Sequence, residues 1–327
     1  MGELSHTGHR SRQLSISLLA AEAAQPTQWL RMLRPGHPPE GSPMPAPEPS
    51  SALSPELSEK SRRLADSLAS LPRAQVAFSG GVDSTYLLLM AHQALGDRVV
   101  AVTADSPSLA RSTLAEACAF CRDRGIAHRV VATGEFANPA YLANDGQRCY
   151  HCKSSLLEAL SALDDCSPAL IGAITDDLGD HRPGMQAARE RQARFPLIEA
   201  NLSKADVRAL SKALGLATWD RPAEPCLSSR VPYGEPVTIA GLGMIEQAEA
   251  ALRFHGFATC RARHHQVGGS GPTATGHLCR LEVPDADIPR LVELRSVLVP
   301  ALKRLGYAQV TVDLAGFASG GLNKLLP

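Results

Sequence analysis

Val76–Met90 reads VAFSGGVDSTYLLLM. An apolar run enters two glycines, an acid and two hydroxyls, and these enter a second apolar run with helical spacing. The order strand, small-residue turn, helix describes an anion seat. Glycine lets a backbone approach a ligand closely, and the first N–H groups of a helix have no partner within it. Ser79, Gly80, Gly81, Ser84 and Thr85 are therefore candidate phosphate donors. Asp83 is out of place beside a phosphate unless a cation stands between them. Mg²⁺ bridging its carboxylate to pyrophosphate oxygens resolves the conflict. No lysine follows the glycines, so the Walker pattern is absent and transfer of a γ-phosphate is disfavoured.

Outward from this stretch, β-like and helical segments alternate. AQVAF (74–78), RVVAVT (98–103), AHRVVA (127–132) and ALIGAI (169–174) read as strands. SLARSTLAEACAFCRDRG (108–125) and CKSSLLEALSAL (152–163) read as helices between them. This alternation predicts an α/β fold, a parallel sheet covered on both faces. Upstream, Leu57, Leu64, Leu68 and Leu71 share one helical face, with Ser54 as cap and Pro55 at the first helical position. Downstream, a helix closed by Gly215 gives way to WDRPAEPCLSSRVPYGEPVT (219–238), which has four prolines and no periodicity. A loop of that length in a compact protein is usually functional. The order beyond it, helix, two strands, helix, strand, predicts a small α+β unit. QVGGSGPTATGH (266–277) reads as a flexible insertion between its first two strands. The expected division is 1–53 disordered, 54–220 nucleotide-binding, and 221–327 the cysteine loop with the α+β unit.

The 327 residues carry 33 basic and 33 acidic side chains, a balance that gives no support for a nucleic-acid face. No stretch reaches the roughly 20 apolar residues of a membrane span. RPGHPPEGSPMPAPEPSSALSP (34–55) is rich in proline and serine. RSRQLSISLLAAEAAQ (10–25) faintly resembles a signal peptide, but Glu22 interrupts it, and export suits neither nucleotide chemistry nor free thiols. The expected location is cytoplasmic, with Met44 an alternative start.

Eight cysteines in this length are too dilute for a disulfide scaffold. Cys149 and Cys152, in RCYHCK (148–153), have the spacing of a soft-metal pair, beside Arg148 and Lys153, which favour thiolates. Packing thiols or a simple redox pair would give the same pattern. Cys226 lies in the proline-rich loop with Arg230 as an anion partner and Ser228 and Ser229 as donors. Three thiolates from two segments suit a [4Fe–4S] cluster with one iron open, or a catalytic metal with an open position. Cys118, Cys121, Cys166, Cys260 and Cys279 fit helix or strand patterns and read as small apolar fillers.

TDDLGDHRPGMQAA (175–188) sets acids, a histidine and Arg182 before a helix start, as in a loop closing over a nucleotide or second substrate. A solvated charged turn is the plainer alternative. In CRARHH (260–265), Arg261 and Arg263 are two apart on a strand. They share a face and can clamp a phosphate or carboxylate, with Glu249 a weaker candidate.

SGGVDS (79–84) resembles the pyrophosphate loop of the N-type ATP pyrophosphatases. That resemblance implies ATP cleaved between its α and β phosphates, with AMP placed on a substrate oxygen. AVTADS (101–106) is similar to the place where that superfamily holds adenosine, which makes Thr103 and Asp105 candidates. Taken in order, SGGVDS, RCYHCK, LGDHRPG, WDRPAEPCLSSRVPYG and RARHH resemble the LarE family of ATP-dependent sacrificial sulfur transferases, from about Ser54 to Pro327. The resemblance implies adenylylation of pyridinium-3,5-biscarboxylic acid mononucleotide, on the way to the nickel-pincer nucleotide cofactor of lactate racemase. It gives Cys226 the position of the sulfur-bearing cysteine. The resemblance assigns the substrate's phosphate and carboxylates to Arg230, Arg261 and Arg263, and implies a homo-oligomer, hexamers being known among relatives. Some relatives hold a [4Fe–4S] cluster on three cysteines, and Cys149, Cys152 and Cys226 make this chain resemble that type. The insertion after Arg263 is longer than the family usually has, which loosens any one-to-one mapping beyond that residue. A tRNA sulfurtransferase or an amide-forming synthetase of the same superfamily is the rival reading, and a non-catalytic nucleotide- or metal-binding regulator is a further one.

Overall fold

The computed structural model describes residues 53–164, 166–179, 182–268 and 276–318. The expected disordered segment and most of the insertion lie outside the described residues.

Ser54 Oγ accepts from the Leu57 amide at 3.2 Å and opens α1 (Pro55–Ala69), whose Leu64 and Leu68 are buried. β1 (Ala74–Ala77) is buried at every position and runs through the nucleotide-loop segment into α2 (Val82–Leu95). α2 is apolar nearly all round, with Val82, Tyr86, Leu87, Leu88 and Met90 buried, as a central helix must be. β2 (Val99–Asp105), α3 (Arg111–Asp123) and β3 (His128–Ala132) follow, then α4 (Pro139–Leu142), α5 (Arg148–Leu163) and β4 (Ala169–Leu170). α6 (Pro183–Glu190), α7 (Pro196–Glu199) and α8 (Lys204–Ala213) complete this part. The sheet order is β3-β2-β1-β4, every pair parallel. This is the expected α/β parallel-sheet architecture. The chain winds outward from β1 to β2 and β3, then returns to pair β4 on β1's other side. The loop after β1 therefore opens at the point where strand order reverses, the usual crevice of such folds.

β4 is shorter than the apolar run 169–174 predicts. Leu170 still bridges Arg194 in parallel on the side away from β1, with the Ile171 amide donating to the Arg194 carbonyl at 2.9 Å, but Gly172 already lies against the backbone of Asp83 and Ser84. The ladder ends there because the chain is taken by the nucleotide loop.

After the proline-rich loop come α9 (Ile239–Phe254), β5 (Arg261–Val267), β6 (Gly276–Glu282), α10 (Ile288–Glu293), α11 (Arg295–Arg304) and β7 (Tyr307–Val312). Their sheet is β5-β6-β7, antiparallel then parallel, the α+β unit the sequence predicts. β5 starts at Arg261, and the residues just before it, Phe257 and Cys260, are buried in the core with Leu252 and Leu302. A separate apolar cluster of Tyr141, Leu227, Val231, Val237, Leu242 and Ile245 packs the proline-rich loop against α4 and α9.

Candidate active site

The nucleotide loop is built by its own side chains. Ser84 Oγ donates to the Gly81 carbonyl at 3.1 Å, lies 3.1 Å from Ser79 Oγ, and is 3.3 Å from the Ser79 amide that donates to it. Gly80 has φ +75°, a left-handed conformation that disfavours a side chain. Gly81 caps α2 without a side-chain hydrogen bond, so the first amides of the helix keep their donors for a ligand. The Thr85 hydroxyl is buried and has no partner.

Asp83 meets a cation that sequence reasoning missed. Lys204 Nζ donates to both carboxylate oxygens, at 2.9 and 2.8 Å. Ser203 caps α8 in a reciprocal capping box with Asp206, and the Lys204 amide donates to Asp176 Oδ2 at 2.9 Å. Lys204 is 121 residues from Asp83 and carries no local signal, so only the fold makes the pair. The acids of 175–179 form a tight turn rather than an open cluster. Asp177 Oδ2 accepts the Ile174 amide and Oδ1 pairs with Arg182 at 2.7 Å. Arg182 stands exposed at the start of α6 and lines a hollow of about 270 Å³ with Leu178 and Arg189.

At the end of β2, Thr103 is inside the sheet, donating to the Phe78 carbonyl at 2.8 Å and sharing a contact with His128 Nε2 at 2.9 Å. Asp105 is exposed and paired with Arg111. Ser106 and Ser108 join hydroxyls at 2.8 Å, and the Ser108 carbonyl accepts the Leu227 amide at 2.8 Å. That last bond docks the cysteine loop just beyond the end of β2.

The loop has almost no backbone ladder, and its carbonyls must find donors elsewhere. They find arginines. Arg208 serves the Arg221 carbonyl at 3.0 Å, Arg261 serves Ala223 at 3.0 Å, and Arg230 serves Pro225 and, at 3.0 Å, Cys226. Arg148 serves Ser228 at 2.8 Å and Arg263 serves Ser229 at 3.0 Å. Tyr141 Oη lies 2.9 Å from Ser228 Oγ, and Asn144 donates to Pro232 and Glu235 carbonyls at 2.7 and 2.9 Å.

Two of the residues expected at the substrate, Arg230 and Glu249, meet each other in these contacts. Arg230 is 2% exposed and Glu249 is fully buried, and they bind each other through two hydrogen bonds. The same guanidinium holds the loop through the Pro225 and Cys226 carbonyls. Arg263 makes the same two-bond pairing with Glu282, at 2.9 and 2.8 Å. Arg261 stacks 5.1 Å from the centre of the Phe317 ring. Burial, with Arg230 nearby, pulls its guanidinium below its ordinary pKa.

Cys226 is exposed at the head of the short turn Leu227–Arg230. Cys149 is exposed in the first turn of α5, and Cys152 is half-buried against the cluster around Tyr141 and Leu227. Burial pushes the Cys152 thiol up to about 12, and the charges of Cys226 and Glu135 add to the rise. The buried Arg148 guanidinium is within electrostatic reach of Cys226 and Cys149. The fold thus brings the three cysteines within electrostatic range of one another, with Arg148 near Cys226 and Cys149. Among the described residues no three Cys, His or acidic side chains are gathered closely enough to hold a metal. The residues are right in kind, three soft donors beside a positive charge, and would have to close in on a cluster.

No family model matches the chain. It is 35% identical over 274 residues, 83% of its length and 96% of the relative's, to pyridinium-3,5-bisthiocarboxylic acid mononucleotide synthase of Lactiplantibacillus plantarum. The chain belongs to the LarE family. As a LarE protein it is an enzyme of the transferase class. An uncharacterized protein of Synechocystis, slr1717, is 43% identical over 275 residues, covering 83% of this chain and 99% of its own. A third, MJ0830 of Methanocaldococcus jannaschii, also uncharacterized, is 23% identical over 247 residues, 75% of this chain and 90% of its own. No helix among the described residues is long and apolar enough to cross a membrane.

Proposed function

We propose that this LarE protein uses ATP to adenylylate a carboxylate of pyridinium-3,5-biscarboxylic acid mononucleotide and replaces the activated oxygen with sulfur at Cys226. The observation that carries the reading is the bond from the Leu227 amide to the Ser108 carbonyl. It puts the exposed Cys226 next to the strand end beside the nucleotide loop.

In this reading Ser79, Gly80, Gly81, Ser84 and Thr85 seat the pyrophosphate, Asp105 and Thr103 belong to the strand end along which the adenosine lies, and Arg182 flanks the entrance. Lys204 gives Asp83 a resident counter-charge, and the same carboxylate would hold Mg²⁺, which when bound would offset the phosphate charge. Ser229, Arg261 and Arg263 form the positive wall facing the substrate's phosphate and second carboxylate. Arg230 and Glu249 hold the loop behind them. Residues 54–220 act as the nucleotide-binding domain and 221–327 as the sulfur-delivering one, in a cytoplasmic homo-oligomer that excludes nucleic acid as substrate.

The Cys226 thiolate attacks the acyl carbon, AMP leaves with the oxygen, and a thioester forms. Loss of the Cα proton and cleavage of the Cβ–S bond then leave the thiocarboxylate product and dehydroalanine in the chain. A second reading is favoured by the shared neighbourhood of the three thiols. Cys149, Cys152 and Cys226 would hold a [4Fe–4S] cluster, which when bound would supply a transferable sulfide and spare the protein.

The test is conversion of ATP to AMP with and without the dicarboxylate nucleotide, followed by mass spectrometry of the Cys226 peptide. AMP that depends on this substrate supports the reading. Loss of one H₂S at Cys226 assigns the sacrificial route, and an intact Cys226 with several turnovers assigns the cluster. Turnover stimulated by RNA instead, or no AMP at all, overturns it.

A further inference from the structure

We propose that Arg221 is a positioning residue that couples the nucleotide loop to the cysteine loop, so that a phosphate seated at Gly81 changes the exposure of Cys226. The inference rests on the ATP-dependent reading above. Arg221 sits at the head of the segment that leads to Cys226. Its Nη1 donates to the Gly80 carbonyl at 3.3 Å, and its Nη2 to Glu116 on α3 at 2.5 Å.

The Gly80 carbonyl and the Gly81 amide belong to one rigid peptide plane and point in opposite directions. A phosphate accepting from the Gly81 amide would orient that plane on one side while Arg221 holds it on the other. Hydrogen bonds on both ends of one peptide polarise and strengthen each other. Gly80, at φ +75° and without a side chain, is the part of the loop free to turn.

The segment between Arg221 and Cys226 can pass such a movement on. Pro222 and Pro225 fix φ at two of its positions. The carbonyls of Arg221 and Ala223 are held by Arg208 and Arg261, from α8 and β5. Two fixed φ angles leave few torsions between Arg221 and Cys226 to absorb a movement, so a change at Arg221 is passed on as a strain against these holds. There is room for the shift, since Arg221 borders a hollow of about 230 Å³ that Phe78, Thr85 and Thr218 also line. The Thr218 hydroxyl is buried there without a partner, ready to take a bond when the guanidinium moves.

The test measures alkylation of Cys226 by iodoacetamide, read peptide by peptide, with and without a non-hydrolysable ATP analogue whose Kd is determined separately. For the wild-type chain the expected change in Cys226 rate on saturation is about fivefold or more, the lower range of coupling between sites. In Arg221→Ala the analogue binds with Kd within about tenfold, but the rate changes less than about twofold. Arg221→Lys keeps the charge and one of the two bonds, and is expected to retain an intermediate response; it serves as the readout if the alanine variant does not fold. A wild-type response in either variant overturns the coupling, as does a wild-type chain that binds the analogue with no change at Cys226. Failure of the analogue to bind the wild-type chain overturns the ATP reading itself, and this inference with it.

Discussion

Both oxygens of the Glu249 carboxylate accept from the Arg230 guanidinium, at 2.8 and 3.0 Å, in a place where neither side chain meets solvent. Burial alone would raise the Glu249 pKa. The bonds and charge of Arg230, with Arg261 and Arg253 nearby, hold it below the ordinary carboxylate value. The pair sits under the cysteine loop, because the same guanidinium also reaches the Pro225 and Cys226 carbonyls. A charge that would be costly alone thus fixes the backbone on both sides of the thiol.

Removing one partner leaves the other charge buried and unpaired, which costs about 3–5 kcal/mol. Glu249→Gln is expected to lose stability in that range, measured by urea unfolding. Arg230→Met combined with Glu249→Leu recovers part of it, since the buried pair goes as a whole; Arg253 keeps Glu224, and the Ala262 amide loses its acceptor. The double variant also releases the loop carbonyls, and its sulfur transfer is expected to stay impaired after stability returns.

Lys204→Met removes the cation paired with Asp83. A hydrogen bond to a charged group contributes about 1.5–3 kcal/mol, so affinity for MgATP is expected to fall by about 10–100-fold. Calorimetric titration with MgATP checks this. Unchanged affinity would show that Lys204 only neutralises Asp83.

Gly172 has no room for a side chain. A Cβ there would lie 3.0 Å from the Ser84 amide nitrogen and 3.1 Å from the Asp83 carbonyl carbon, both backbone atoms that cannot swing aside. Overpacking of this kind costs about 1–3 kcal/mol. Gly172→Ala is expected to lower kcat/KM for ATP by at least about tenfold, with the folded chain still populated, as measured by steady-state AMP release and thermal unfolding.

Stability is expected to fall with acid through His264. Burial, then the charges of His277 and His265, push its pKa down to about 4 from 6.5. Its ring lies 4.3 Å from that of His277, and Nδ1 is 3.2 Å from Tyr307 Oη, while His265 beside it contacts Arg280. Near pH 5 the unfolded chain therefore holds a proton at this residue that the folded chain does not. The sign is that stability is present above about pH 6.5 and declines as pH drops toward 4, by up to about 3 kcal/mol from this residue. His264→Gln should flatten that limb of a pH–stability profile measured by chemical denaturation. Glu249, whose pKa is lowered by Arg230 against the effect of burial, contributes stability that is present above the ordinary carboxylate value and lost as pH falls below it.

The nucleotide loop was legible because its causes are local. A left-handed Gly80, a self-bonding Ser84 and an uncapped helix start all lie within six residues of one another. Strand and helix alternation is equally local, since each element buries residues at its own period. The end of β4 was not legible, because the contact that ends it comes from Asp83 and Ser84. Gly172 inside a strand pattern was the available signal, as such a glycine often marks close approach of another backbone.

By itself, the sequence determined the sheet-forming segments and the glycine turn between β1 and α2; of the five cysteines read as apolar fillers, Cys121, Cys260 and Cys279 are buried, whereas Cys118 is partly buried and Cys166 exposed. Only the tertiary structure decided which charge each arginine answers. Arg230 and Arg263, read along the chain as ligand clamps, are paired with Glu249 and Glu282, each 19 residues away. The reason is that a guanidinium presents several donors and carries no preference for one acceptor over another. Its partner is whichever carboxylate or loop carbonyl the packing of α9, β5 and β6 excludes from water, and that choice is made across the fold.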